Sequence, residues 1–145
     1  MIDISEKDIT ARTAKAKGTI VLCEKAFEII KQGTCKKGDV FTTEKIAAIQ
    51  AVKSTPHLIP MCHPILIESV EIHFEQDEYA KTVTITVSVK STGRTGVEME
   101  ALCGASFGWP TIYDMLKYAD KAMVIKEVKL IEKTGGKSGD YKRQD

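Results

Sequence analysis

The sequence predicts an α+β domain in which one antiparallel sheet carries helices on one of its faces. Three observations predict it. Val70, Ile72 and Phe74 alternate with Glu71, His73 and Glu75, and Val83, Ile85, Val87 and Val89 alternate with Thr84, Thr86 and Ser88. A period of two with one polar side is the pattern of antiparallel strands covered on a single face. Apolar residues at helical spacing flank this pair of strands on both sides along the chain, and the elements follow one another as β-α-α-β-β-α-β without repeats, linkers or low-complexity blocks. A mixed order of this kind sorts most economically into two layers.

The elements follow in chain order. Residues 1–18 are polar and rich in Lys and Ala, and read as a mobile arm. Thr19 to Leu22 is a short β-branched strand. Glu24 to Gln32 is a helix, with Ala26, Phe27, Ile29 and Ile30 at helical spacing and Gly33 as its stop. A loop holding Lys36, Lys37 and Gly38 leads to a second helix from about Thr42 to Ser54, capped by Thr42 or Thr43 and closed by Pro56. The two alternating strands come next, joined by a turn at 76–80. A long helix from about Val97 to Lys121 carries the apolar line Ala101, Leu102, Ala105, Trp109, Ile112, Met115, Leu116 and Ala119. Pro110 inside it predicts a break near Gly108. Met123 to Glu132 is the last strand, and residues 133–145 read as a glycine-rich polar tail.

Bulk properties narrow the function. A chain of 145 residues fits a single domain, 1–145, and can bury roughly two-thirds of its unfolded surface without staples. With 21 basic and 20 acidic residues the net charge is +1, which argues against a general nucleic-acid binder. No apolar run approaches the ~20 residues of a membrane helix, and the start MIDISEKDIT is not a secretory signal. Cys23, Cys35, Cys62 and Cys103 form no C-x-x-C pair. Four reduced thiols in the cytoplasm are the expectation. No spacing marks a metal site, a Rossmann turn or a hydrolase elbow, so no metal and no cofactor are expected.

Several residues are suited to chemistry. Asp114 and Lys117 share a helix face. At about 100° per residue, an unbroken helix would bring Glu100 to the same side. A carboxylate beside an ammonium can exchange protons, but such pairs are common and weak on helix surfaces, so spacing alone favours a solvated ion pair. His63 stands in a loop stiffened by Pro60 and Pro64, a good mount for an imidazole, with a structural histidine beside a buried Cys62 as the alternative. Residues 134–139, Thr-Gly-Gly-Lys-Ser-Gly, are no P-loop, because Ile131 stands where the motif needs Gly. Their backbone with Lys133 and Lys137 can still cradle phosphate, as can Lys36-Lys37-Gly38; a solvated loop is the alternative in each case. Glu98 suits a helix start, and Glu98 and Glu100 diverge by about 200° on a regular helix.

Five blocks in order go further. Residues 37–41 (KGDVF), 58–64 (LIPMCHP), 95–102 (TGVEMEAL), 111–115 (TIYDM) and 133–139 (KTGGKSG) closely resemble the cyclic pyranopterin monophosphate synthases, the molybdenum-cofactor biosynthesis accessory protein C family. The match runs over nearly the whole chain with matching spacing. It implies a ferredoxin-like sandwich and a lyase that converts 3′,8-cyclo-7,8-dihydroguanosine 5′-triphosphate to cyclic pyranopterin monophosphate and diphosphate. It also implies a homohexamer, a trimer of dimers, with active sites between subunits, and no nucleic-acid or membrane partner. By position, it implies catalytic roles for Asp114, Lys117, His63 and Lys37, and substrate contacts from Met61, Cys62, His63, Glu98, Met99, Glu100, Lys133 and Arg12. The chain begins close to the arm that holds Arg12, without the longer leader of some relatives. The competing reading is a non-catalytic nucleotide-binding module on the same fold. An RNA-binding sheet would need exposed aromatic residues on the central strands, where Thr and Ser stand instead.

Overall fold

A computed structural model describes residues 1–145. The elements are β1 (Thr10–Val21), α1 (Glu24–Gln32), α2 (Val40–Leu58), β2 (Ser69–Asp77), β3 (Thr82–Gly93), α3 (Glu98–Phe107), α4 (Trp109–Leu116), β4 (Val124–Thr134) and β5 (Tyr141–Lys142). The strands form one sheet in the order β2-β3-β1-β4-β5, every pairing antiparallel. The first four strands give the ferredoxin-like arrangement, with the helices on one face.

The clearest departure from expectation is at the beginning of the chain. Residues 10–18 are not a mobile arm. They belong to the central strand, which pairs with β3 from Thr10↔Gly93 to Val21↔Thr82 and with β4 from Thr13↔Thr134 to Val21↔Val124. Arg12, Ala14, Ala16 and Ile20 of β1 face the helices and are buried. This inner row is mostly small because α3 presses on it. A methyl on Gly18 would lie 2.5 Å from both the Ala105 carbonyl oxygen and Trp109 Nε1. Opposite this row stand Val83, Ile85, Val87 and Val89 of β3, all buried.

α3 is the middle of the sandwich. At Gly104 a methyl would meet Val52 of α2 at 2.8 Å and Val87 of β3 at 2.9 Å, so α3 is wedged between α2 and the sheet. The expected long helix does break at Gly108, and Pro110 occupies the first turn of α4, where its missing N–H costs nothing. α2 runs past its expected end. Pro56 lies in its last turn, and Ile59 N–H still closes on the Thr55 carbonyl at 2.9 Å. Its cap is Asp39, whose carboxylate accepts from Thr42 N–H at 2.6 Å, not Thr42 or Thr43.

The tail is also ordered in part. Lys133 and Thr134 end β4, and β5 adds two residues at the sheet edge. The turn between them docks on β1: Thr10 donates to the Gly135 carbonyl at 2.8 Å, and the hydroxyls of Thr13 and Thr134 are 2.6 Å apart. Arg12, near one end of the chain, and Lys133, near the other, are thereby neighbours.

Candidate active site

The residues singled out from sequence fall into two separate places on the protomer. The first is an ion cluster on α4. Asp114 Oδ1 accepts from Lys117 Nζ at 2.7 Å, and Asp114 Oδ2 accepts from Lys37 Nζ at 2.8 Å. Lys37 Nζ also donates to the Asp114 backbone carbonyl at 2.9 Å. The short loop before α2 places Lys37, and Asp39 fixes that loop by capping the helix. Hydrogen bonds from Lys117 and Lys37, with the field of both ammonium groups, lower the Asp114 carboxyl to about 2. The same contact raises Lys117. All three side chains are substantially exposed. Near neutral pH Asp114 is therefore a carboxylate held between two lysine side chains, and it favours the protonated form of Lys117.

Glu100 does not join this cluster. The break at Gly108 spoils the helical count, and Glu100 turns into the body of the protein, where it is 2% exposed. Burial raises its carboxyl, with Glu98 adding in the same direction. It lines a second place with Met61, Cys62 and His63 of the Pro-flanked loop and with Glu98 and Met99 of α3. This cavity of about 490 Å³ has a partly apolar wall, completed by Met1, Ile2, Ile4 and Lys7. Glu98 and Glu100 thus share one cavity despite their angular separation. The reason is the irregular helix start: Val97 has φ −112° and ψ 23° and gives no side-chain cap, and Glu98 is the first residue of the helix. Burial raises the Cys62 thiol, with Glu100 and Cys103 adding to it, which disfavours the thiolate.

Beside this cavity lies another of about 650 Å³ with no apolar residue in its lining. Arg12 and Lys133 from the two central strands form its floor, and the 134–138 turn its rim. Arg12 is 7% exposed; its Nε donates to the Gly93 carbonyl at 3.2 Å, and no carboxylate pairs with it. Lys133 Nζ is 2.9 Å from Glu98 Oε1. The two cavities adjoin, since Lys7, Thr95, Gly96 and Glu98 line both. The first compartment can take a partly apolar group, and the second, lined by several Lys and Arg side chains, can take an anionic one.

The protomer thus brings Met61, Cys62, His63, Glu98, Met99, Glu100, Lys133 and Arg12 together around the paired cavities. It does not bring Lys37, Asp114 and Lys117 to them: neither cavity includes any of the three. Lys7 and Arg94 also line the polar compartment, and neither was singled out from sequence. For Arg94 the only sequence signal was its place in the Gly-Arg-Thr-Gly turn before α3. No group of three or more His, Cys, Asp or Glu residues is placed to hold a metal ion, and no helix is long and apolar enough to cross a membrane.

Comparison with known proteins gives a consistent result. The model of the MoaC family matches residues 1–136. The chain is 49% identical over 145 residues to a cyclic pyranopterin monophosphate synthase from Helicobacter hepaticus, covering 100% of this chain and 91% of that protein. It is 51% identical over 143 residues to the protein of the same name from a Sulfurovum species, covering 99% and 91%. A third relative so named, from Heliobacterium modesticaldum, is 47% identical over 145 residues, covering 100% and 91%.

Proposed function

The chain belongs to the MoaC family, and from that premise we propose that it is a lyase of molybdenum-cofactor biosynthesis that converts 3′,8-cyclo-7,8-dihydroguanosine 5′-triphosphate to cyclic pyranopterin monophosphate and diphosphate. The observation that carries the reading at the level of the site is the adjoining pair of cavities, one partly apolar and one wholly polar, hinged on Glu98. The ring system occupies the compartment of Met61, Cys62, His63, Met99 and Glu100. The triphosphate lies toward Arg12 and Lys133.

The chemistry has two parts. Rearrangement of the purine to a pterin moves protons at carbon and nitrogen, which His63 and Lys117 are suited to carry. Closure of the cyclic phosphate forms a bond from a sugar oxygen to the first phosphorus and breaks that phosphorus's bond to the departing diphosphate. The hydroxyl proton leaves to a base, and the cations offset the charge on the leaving group. Asp114 acts by aiming Lys117 and Lys37 and by favouring the protonated form of Lys117. The reaction takes place in the cytoplasm.

Because the α4 cluster lies apart from the cavities, the complete site forms between copies of the chain, in a homohexamer built as a trimer of dimers. Two experiments test the proposal. Incubation with the cyclic triphosphate should yield pterin and diphosphate together; binding without diphosphate release would identify a non-catalytic nucleotide-binding module instead. His63→Ala and Lys117→Ala should each be inactive alone and regain activity when mixed and reassembled. No regain would place both residues in sites made by a single chain.

A further inference from the structure

Lys37 and Asp114 meet on the surface of the protomer, 77 positions apart in the chain, with their side chains 43% and 55% exposed. An exposed lysine–carboxylate pair holds its own geometry weakly, because a long side chain gives up rotamer freedom to stay in place. The aim of Lys37 at Asp114 therefore depends on what fixes the backbone that carries it.

That backbone, loop 35–38, is fixed to the C-terminal end of α4. The turn after α4 closes on Leu116, whose carbonyl accepts from the N–H groups of Ala119 and Asp120 at 2.8 and 3.0 Å. The Asp114 and Met115 carbonyls are left without a backbone donor, the ordinary condition of a helix end. Side chains of the loop meet both: Lys37 Nζ donates to the Asp114 carbonyl at 2.9 Å, and Cys35 Sγ donates to the Met115 carbonyl at 3.5 Å. Tyr118 grips the residue between these two. Its hydroxyl accepts from the Lys36 N–H at 3.2 Å, and the Lys36 ammonium stands 5.2 Å from the centre of its ring. The turn that carries Tyr118 is tied down in its own right, because the Asp120 carboxylate accepts from Cys23 N–H at 2.7 Å and from Ala122 N–H at 2.8 Å. Within the loop, Gly38 N–H closes on the Cys35 carbonyl at 3.1 Å.

Resting on the functional reading above, we infer that Tyr118 and Cys35 are positioning residues for the reaction: they lock loop 35–38 onto the end of α4 and so deliver Lys37 to Asp114. Both act through Lys37. Tyr118 follows Lys117 directly and Cys35 precedes Lys37 by two, yet each holds the other's segment: Tyr118 grips the loop of Lys37, and Cys35 grips the helix that carries Asp114. Loss of either contact loosens Lys37 without removing a charge from the cluster.

Two measurements on the full-length protein test this. In steady-state turnover of the cyclic triphosphate, Tyr118→Ala should lower kcat about tenfold with KM little changed, the scale of one lost hydrogen bond. Tyr118→Phe, which keeps the ring face for Lys36, should lose less. Cys35→Ala should also lower kcat, and Cys35→Ser, which keeps a donor for the Met115 carbonyl, should recover most of the loss. Competitive acetylation with acetic anhydride, mapped by peptide mass spectrometry, reads the freedom of the Lys37 amine without reference to turnover. Lys37 labelling should rise severalfold in Tyr118→Ala, with the exposed Lys25 of α1 as internal reference. Unchanged Lys37 labelling in both alanine variants would overturn the lock, even if kcat fell, since the fall would then report a general structural effect. Raised labelling with unchanged kcat would overturn the positioning role. Failure of the unaltered protein to release diphosphate from the cyclic triphosphate would instead overturn the functional reading, and because the labelling needs no turnover, these failures stay apart.

Discussion

Glu44 carries a carboxyl group that is fully buried with no hydrogen-bond partner on either oxygen. It lies on α2 against Gly108, where α3 breaks and α4 begins. No neighbouring charge enters its environment, and burial alone pushes the carboxyl from 4.5 to about 8. The folded protein therefore keeps this group protonated at pH values where the unfolded chain has released the proton. Stability must then fall as pH rises from the unfolded value toward about 8, by roughly 1.4 kcal/mol per unit over most of that window. Between about pH 5 and 7.5 the loss from this one group is roughly 3 kcal/mol. Glu44→Leu removes the group at similar volume. Urea unfolding at fixed protein concentration should show the leucine variant more stable at pH 7.5, with an advantage over the native chain about 3 kcal/mol larger than at pH 5. The difference between the two proteins cancels every other titrating group. An advantage that is equal at both pH values would refute the argument, because it would mean that Glu44 reaches a partner or water in the folded state.

Four further outcomes are expected. Asp114→Asn should lower kcat by about 10²-fold or more, since Lys117 and Lys37 lose the carboxylate that aims them, while thermal unfolding barely changes because the ion pairs are exposed; a variant with near-normal turnover would exclude the cluster from catalysis. The stability that Asp114 gains from its two lysines should be present above its ordinary value of 3.8 and lost as pH falls through about 2. Gly108→Ala should destabilise by about 1–3 kcal/mol, because its methyl runs into the Glu44 carboxyl, and adding Glu44→Ala should return part of that loss, a coupling that a double-mutant cycle of unfolding free energies measures. Gly18→Ala should cost about 2 kcal/mol or more, or prevent folding, since its methyl meets a backbone carbonyl and the Trp109 ring at the centre of the sandwich.

What the sequence revealed depended on whether a local pattern matched a long-range fact. β2 and β3 were legible because their alternation reports directly which side is covered. The break at Gly108 was legible because Pro110 acts on its own turn. Residues 10–18 were not, because the buried row Ala14, Ala16 and Gly18 is small. It is small on account of α3, which lies about 90 positions away, so tertiary packing overrode the appearance of an Ala/Lys-rich arm. At the site, the family resemblance picked out the Met61-Cys62-His63 loop, the α3 start, Arg12 and Lys133, and the fold gathers these residues around the paired cavities. The misplaced expectation was Glu100 beside Asp114, which assumed a continuous helix. Glu44 carried no local mark, since what matters about it is the burial of a carboxyl without a partner, set by elements far along the chain.

The pairing of β1 with β4 has a consequence for the order in which the molecule can mature. Thr13 and Thr134 are 121 positions apart, and no shorter loop links the two strands that form the floor of the polar compartment. Contacts of such separation carry the largest chain-closure cost and come late in assembly. A chain with α1, α2 and the β2–β3 hairpin already in place would still lack the floor of the polar compartment. On the proposed function, substrate recognition is a property that the protein acquires only when β1 and β4 meet, and any condition that frays β4 from β1 should abolish recognition before it melts the core.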